Sequence, residues 1–130
     1  MNLVDSSGWL EFFADGPNAT DFSIPIRNIK DVVVPTICLY EVFKVVLRER
    51  SENEALQAVA LMRQGNIVDL SSELALKAAK VSTEYKIPMA DSIIFATAQA
   101  FQATIWTQDE DFKGLPGVKF FPFSLGPTPA

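Results

Sequence analysis

The sequence has no histidine and only one cysteine among its 130 residues. The missing histidine excludes Ser-His-Asp and Cys-His nucleophilic machinery, nuclease chemistry on paired histidines, and the HExxH zinc site. Neither a Walker-type GxxxxGKS/T loop nor a GxGxxG turn occurs. The lone Cys38 excludes an internal disulfide, and its place between Ile37 and Leu39 marks it as a structural, buried thiol of a reducing compartment. No apolar run approaches the roughly 20 residues of a membrane span, and Met1 to Asp5 lacks the basic-then-apolar order of a secretory signal. A soluble, cytoplasmic protein with no membrane partner is expected. Basic residues are scarce, eleven Lys and Arg against sixteen Asp and Glu, so the net charge is −5. That balance excludes a surface that traps nucleic acid everywhere, and leaves room for a local basic rim around an acidic pocket. An enzyme of this composition must work with carboxylates, lysines, hydroxyls and a hard metal ion.

What is present is apolar: hydrophobic residues make up 48% of the chain, enough for one compact domain with its own core. We place that domain at 1–123 and a flexible tail at 124–130, where the sequence reads SLGPTPA. Leu3-Val4 reads as a short strand ending at Asp5, followed by a helix capped at Ser6-Ser7 and running through Phe13 to Gly16-Pro17. Between Asn18 and Lys30, Phe22, Ile26 and Ile29 recur at helical spacing in a helix interrupted near Pro25. Val32-Val33-Val34 is a buried strand, and Pro35-Thr36 opens a helix from Ile37 to about Arg48. Ser51-Glu52-Asn53-Glu54 matches a capping box, and its helix ends at Gly65. Ile67 to Leu70 is a strand, Ser71-Ser72-Glu73 opens a helix stopped before Pro88, and Met89 to Phe101 is a further, nearly apolar helix. Thr104 to Thr107 and Val118 to Phe121 are the last strands. Strands alternating with helices imply right-handed crossovers and a mainly parallel sheet covered on both faces. Ligands on such sheets sit beyond the carboxyl ends of the strands, where Asp5 and Asp109 both fall.

The acids carry the chemistry, and each has a plainer reading beside the functional one. Asp5 ends a strand, so a helix cap accepting backbone N–H groups explains it when taken alone. Glu41 shares a narrow helical stripe with Lys44 and Arg48 and would serve equally as half of a solvated pair. Asp91 is harder to dismiss: it begins a helix with hardly any other charge, and a buried carboxylate needs backbone donors, a basic partner or a cation. The run TQDEDF places Asp109, Glu110 and Asp111 side by side, as an acidic turn in solvent or as one corner of a metal site. Several carboxylates converging on one sheet edge, with no His or Cys beside them, describe an all-oxygen site for Mg²⁺ or Mn²⁺. Trp9, Phe12, Phe43 and Trp106 read as core packing. Lys44, Arg48, Lys113 and Lys119 are candidates for a rim that binds a nucleic-acid backbone, set against the plain reading of scattered solvated charge.

Four segments in order, VDSSGWLE from Val4, VPTICLYEV from Val34, DSIIFATA from Asp91 and TQDEDF from Thr107, resemble the PIN-domain ribonucleases, and most closely the VapC toxins of toxin–antitoxin systems. The resemblance runs from Asn2 to about Phe121. It implies a three-layer α/β/α domain around a mainly parallel sheet, with an acidic pocket for one or two Mg²⁺ or Mn²⁺ ions. Residue by residue, Asp5, Glu41, Asp91 and Asp109 match the family's catalytic and metal-binding quartet. Asp111 matches a further acid, and Ser7 and Thr107 match supporting polar residues. Glu110 falls at a variable position and receives no role. The segment 16–31, with Pro25, departs from the usual pattern. The implied activity is endonucleolytic RNA hydrolysis, with a homodimer and a small antitoxin as partners. Alternatives are a housekeeping PIN nuclease in RNA processing and a PIN-like scaffold that binds without cutting.

Overall fold

Among the described residues, five short parallel strands fix the positions of the acids. The computed structural model describes residues 1–123, and the tail expected at 124–130 lies outside them. The strands are β1 (Asn2–Val4), β2 (Val33–Pro35), β3 (Asn66–Val68), β4 (Thr104–Thr107) and β5 (Val118–Phe120). The helices are α1 (Ser6–Phe13), α2 (Ala19–Arg27), α3 (Thr36–Glu49), α4 (Glu52–Met62), α5 (Ser72–Tyr85) and α6 (Met89–Ala100). Strands pair in the orders β1-β4-β5 and β2-β3, all parallel, and a parallel bridge from Asn2 to Val32 joins the two groups. The helices pack in the pairs α1 with α2, α3 with α4, and α5 with α6, giving the expected α/β/α arrangement.

The strands are short because each is an apolar stitch through the core rather than a surface ribbon. Leu3, Val4, Val33, Val34 and Ile105 are all buried, and they pack with Trp9, Phe22, Met62, Ile94, Phe95 and Phe112. Burial of this kind, at roughly 25 cal/mol per Å² of apolar surface, is the main driving force for the fold. Gly8 is required where α1 crosses β1 and α2: an added Cβ would lie 2.7 Å from Val4 and 2.8 Å from Phe22. Expectation and structure agree on the opening of α4 and α5, where Ser51 and Ser71 accept the N–H groups of Glu54 and Leu74.

Two expectations need correction. The helix over Asn18 to Lys30 is not broken at Pro25; α2 continues through it to Arg27, and a short 3-10 turn follows at Ile29–Asp31. Pro25 removes one backbone donor, but it lies near the end of α2 and is buried with Phe22 and Ile26, so packing offsets the missing bond. The cap of α1 is Asp5 rather than Ser6 or Ser7: its carboxylate accepts the Gly8 N–H at 2.9 Å. The two serines are thereby helical, and their hydroxyls are free for other partners.

Candidate metal centre

β1 and β4 lie side by side, with Val4 opposite Trp106, so Asp5 and Thr107 leave the sheet at the same edge. Asp5 is 2% exposed and heavily hydrogen-bonded. Its oxygens accept from the Ser7 hydroxyl at 2.8 and 3.0 Å, from the Gly8 N–H, and from the Thr107 hydroxyl at 2.6 Å. Burial nonetheless raises the Asp5 carboxyl to about 6, against the lowering effect of Thr107, Gly8 and Ser7, with a further push from the charge of Asp109.

Thr107 couples that corner to the acidic turn. While donating to Asp5, its Oγ1 accepts the Asp109 N–H at 2.9 Å, and Asp109 in turn accepts the Asp111 N–H at 2.9 Å. The backbone after β4 is therefore held by hydroxyls and carboxylates of the site itself. Ser7 adds a second tie, accepting the Gln108 N–H at 3.2 Å. Gln108 also accepts from the Asn18 side chain at 3.0 Å, and the Asn18 N–H is held by the buried Glu11 at 2.9 Å.

Asp91, in the first turn of α6, meets Asp109 and Asp111 across the pocket. One carboxylate oxygen from each lies within 4.8 Å of the others. Burial pushes Asp91 up to about 8, and repulsion from Asp109, Asp111 and Asp5 adds to the shift. Among the described residues no Lys or Arg forms an ion pair with any of these acids.

Glu41 is held by a residue the sequence reading assigned only to capping: the Ser6 hydroxyl donates to it at 2.7 Å. The solvated Glu41–Lys44 pair is not formed among the described residues. Instead Lys44 lies over the Tyr40 ring at 5.5 Å, and Arg48 pairs with Glu49 at 3.3 Å in full view of solvent. Cys38 is buried as expected, and its thiol is pushed up by burial and by the charges of Asp5, Glu41 and Asp91. Ser6, next to Asp5 in the chain, is thus what brings Glu41 toward this end of the sheet, and the carboxylates close enough to share one ion are Asp91, Asp109 and Asp111, not Asp5 or Glu41. Glu110 opens a short exposed turn and is not among those three. Trp9 and Trp106 are in the core, whereas Lys113 and Lys119 lie over Phe120 and Trp106.

Ser6, Asn18 and Gln108 are the contributors that sequence reasoning missed. Adjacent hydroxyls after a strand-ending acid gave a signal for Ser6, but nothing local marks which carboxylate it holds. The chemistry of the donor set fits a hard divalent cation: all ligands are oxygen, three carboxylates are close enough to share one ion, and the most perturbed of them lacks a counter-charge.

A family model described as the PIN domain matches residues 3–118. Among solved structures, a toxin–antitoxin complex from Klebsiella pneumoniae has a chain that is 24% identical, with a TM-score of 0.78 over 95% of this chain and 100% of that one. VapC20 of Mycobacterium tuberculosis, described as a Sarcin-Ricin loop cleaving toxin, is 16% identical with a TM-score of 0.75, covering 89% and 95%. A DNA-bound VapBC of Salmonella typhimurium is 14% identical with a TM-score of 0.73, covering 94% and 98%. No curated protein matches the sequence. At these identities the structural likeness is one of fold, and it agrees with the sequence match over nearly the whole described chain: the protein belongs to the PIN domain family.

Proposed function

We propose that this protein is a Mg²⁺- or Mn²⁺-dependent endoribonuclease, the toxin of a VapBC-type pair, acting in the cytoplasm as a homodimer, with residues 1–123 as one PIN domain. The observation that carries the reading is the cluster of Asp91, Asp109 and Asp111, which forms no ion pair among the described residues and is tied to Asp5 through Thr107. Likeness in fold to VapC toxins found with antitoxins supports it further.

Asp91 and Asp109 would hold the ion with Asp111, and Asp5 and Glu41 complete the acidic wall. A bound Mg²⁺ or Mn²⁺ supplies positive charge for the scissile phosphate and an acidified water. The chain's own residues do the positioning. Ser7, Gly8 and Thr107 prevent Asp5 from rotating, and Thr107 fixes the backbone that carries Asp109. Ser6 holds Glu41 in its rotamer, so the carboxylates keep their spacing before substrate arrives. No histidine is needed for any of these tasks.

An antitoxin fits a different surface. A groove of about 900 Å³ between α1, α3 and α4, with Leu10, Phe13, Val45, Val46 and Leu61 on its walls, runs up to Ser7 and Gln108. Its apolar walls suit an amphipathic segment of a small protein partner, and its inner end adjoins the acidic pocket.

The reading is tested by stripping divalent ions from the purified protein and incubating it with structured and single-stranded RNA, with and without Mg²⁺ or Mn²⁺. Cleavage that requires the metal and disappears in folded Asp91→Asn and Asp109→Asn is expected. Cleavage that survives chelation, or equal activity in the folded variants, would overturn it. Toxicity on expression, relieved by the same changes, separates a toxin from a non-cutting scaffold.

A further inference from the structure

From the exposed ring that precedes Glu41 on α3 we propose that Tyr40 stacks on an unpaired base of the RNA substrate, with Lys44 holding the neighbouring phosphate. The proposal rests on the reading of the pocket as a ribonuclease site and adds to it how the substrate is gripped.

Most aromatic rings of this chain are consumed by the core. Trp106 is 7% exposed, covered by Lys119 at 4.4 Å and stacked on Phe121 at 5.8 Å between centroids. Tyr40 differs: even with Lys44 over its ring 60% of it is exposed, and no other aromatic ring packs on it among the described residues. Among the exposed large apolar side chains, only Tyr40 and Met89 lie within two positions of a carboxylate of the pocket, and Tyr40 is the aromatic one. It directly precedes Glu41, which Ser6 pins toward the site.

Charge agrees with geometry. In a chain of net charge −5, α3 brings Lys44 and Arg48 together with Tyr40 on one arc of the helix, at about 100° per residue. Lys44 makes no ion pair among the described residues and rests 5.5 Å from the Tyr40 centroid, so its charge is available to a phosphate. Val45, Val46 and Glu49, the α3 residues that line the apolar groove, project from the other side of the helix. The ring is thus separate from the groove that suits a protein. An exposed aromatic with a cation beside it is the arrangement that grips single-stranded nucleic acid: every base has a face to stack, and the backbone supplies the anion.

The experiment compares wild type, Tyr40→Ala and Tyr40→Phe on a single-stranded RNA oligonucleotide. It measures KM and kcat with Mg²⁺ and, by fluorescence anisotropy, binding with Ca²⁺ in its place. Tyr40→Ala is expected to raise KM and weaken binding roughly ten-fold, within the range for one stacked base, with kcat changed far less; Tyr40→Phe restores wild-type values. An abasic scan of the oligonucleotide adds a signature of direct contact. One abasic position should weaken wild type by the same factor and leave Tyr40→Ala unaffected. Unchanged RNA binding in Tyr40→Ala overturns the proposal, as does a loss confined to dimerisation in sedimentation, which would make the ring a protein contact. Binding that depends on Tyr40 without any cleavage supports the stacking role and removes only the ribonuclease reading. Wild type that fails to bind single-stranded RNA overturns both.

Discussion

Asp5 and Asp91 are buried aspartates of one pocket, 2% and 9% exposed, yet the chain treats them in opposite ways. Asp5 is surrounded by donors: two hydroxyls and a backbone N–H reach its oxygens. Asp91 receives no hydrogen bond from a hydroxyl or N–H among the described residues, and its polar neighbours are the carboxylates of Asp109 and Asp111. Donors hold the deeply buried Asp5 to about 6, while burial, the charges of Asp109, Asp111 and Asp5 and a hydrogen bond shared with Asp111 send Asp91 to about 8. Asp5 is a helix cap held by the chain's own donors, whereas Asp91 has neither a hydroxyl or N–H donor nor a counter-charge among the described residues and is the acid we propose as the ligand. A donor-rich carboxylate and a donor-poor one side by side give a site that is rigid before it is neutral.

The largest expected effects break this contrast directly. Asp91→Asn should lower RNA cleavage at least about 100-fold, roughly 2.7 kcal/mol of transition-state stabilisation, while raising stability at pH 8 in chelator by about 1 kcal/mol. Asp5→Ala should lower activity too, but with the opposite sign in stability: losing the cap and stranding the Thr107 and Ser7 hydroxyls costs roughly 2 kcal/mol. Denaturant titration of both variants with EDTA present measures the signs, and equal signs would erase the distinction.

Next in size is the response to pH and metal. Both carboxyls titrate above their ordinary 3.8, so the folded protein holds protons that the unfolded chain has released. The stability this gives is complete below about pH 4 and is lost as pH rises through about 6 at Asp5 and about 8 at Asp91. Chelated protein should accordingly show this part of its thermal stability falling between about pH 4 and pH 8, with the loss reduced in Asp91→Asn. At pH 8, Mn²⁺ at about 100 times its Kd should restore some 2.7 kcal/mol. A chelated wild type and an Asp91→Asn variant with the same pH profile would contradict the assignment.

Thr107→Val tests the link between the two corners. It leaves the Asp109 N–H without its acceptor and removes the shortest hydrogen bond to Asp5, and should cost about 1–2 kcal/mol of stability. Cleavage should fall more than tenfold because the ligands lose their registration. The smallest effect belongs to Ser6→Ala, which frees Glu41 and should lower stability by under about 1 kcal/mol. Its effect on kcat should be several-fold, and a Ser6→Thr variant that restores kcat would tie the loss to the hydroxyl.

The two corners also differ in how legible they were in the sequence. Asp91 stood out because a single acid in a nearly apolar helix has few explanations, and the fold followed from strands and helices that alternate with clear end signals. Asp5 was legible as a cap, since an acid that ends a strand and precedes a helix is placed to accept the first N–H groups. The hydrogen bonds that separate the two acids were not legible, because Ser6 with Glu41 and Thr107 with Asp5 join residues 35 and 102 positions apart. No local rule fixes such pairings; the first exists only once α1 packs on α3, and the second once β1 and β4 are in register. Pro25 misled for a related reason, since its local cost is visible in sequence and the packing that offsets it is not.

Calorimetric titration of metal-free protein with Mn²⁺ at pH 7, in two buffers of different ionisation heat, tests the contrast most directly. An Asp91 carboxyl held near 8 is protonated at that pH and must release its proton when the ion binds. Wild type should therefore release roughly 0.9 proton per ion at this site, and Asp91→Asn should bind more weakly with almost none. Tight binding without proton release, or the same release in Asp91→Asn, would contradict the assignment of Asp91 as the uncompensated ligand.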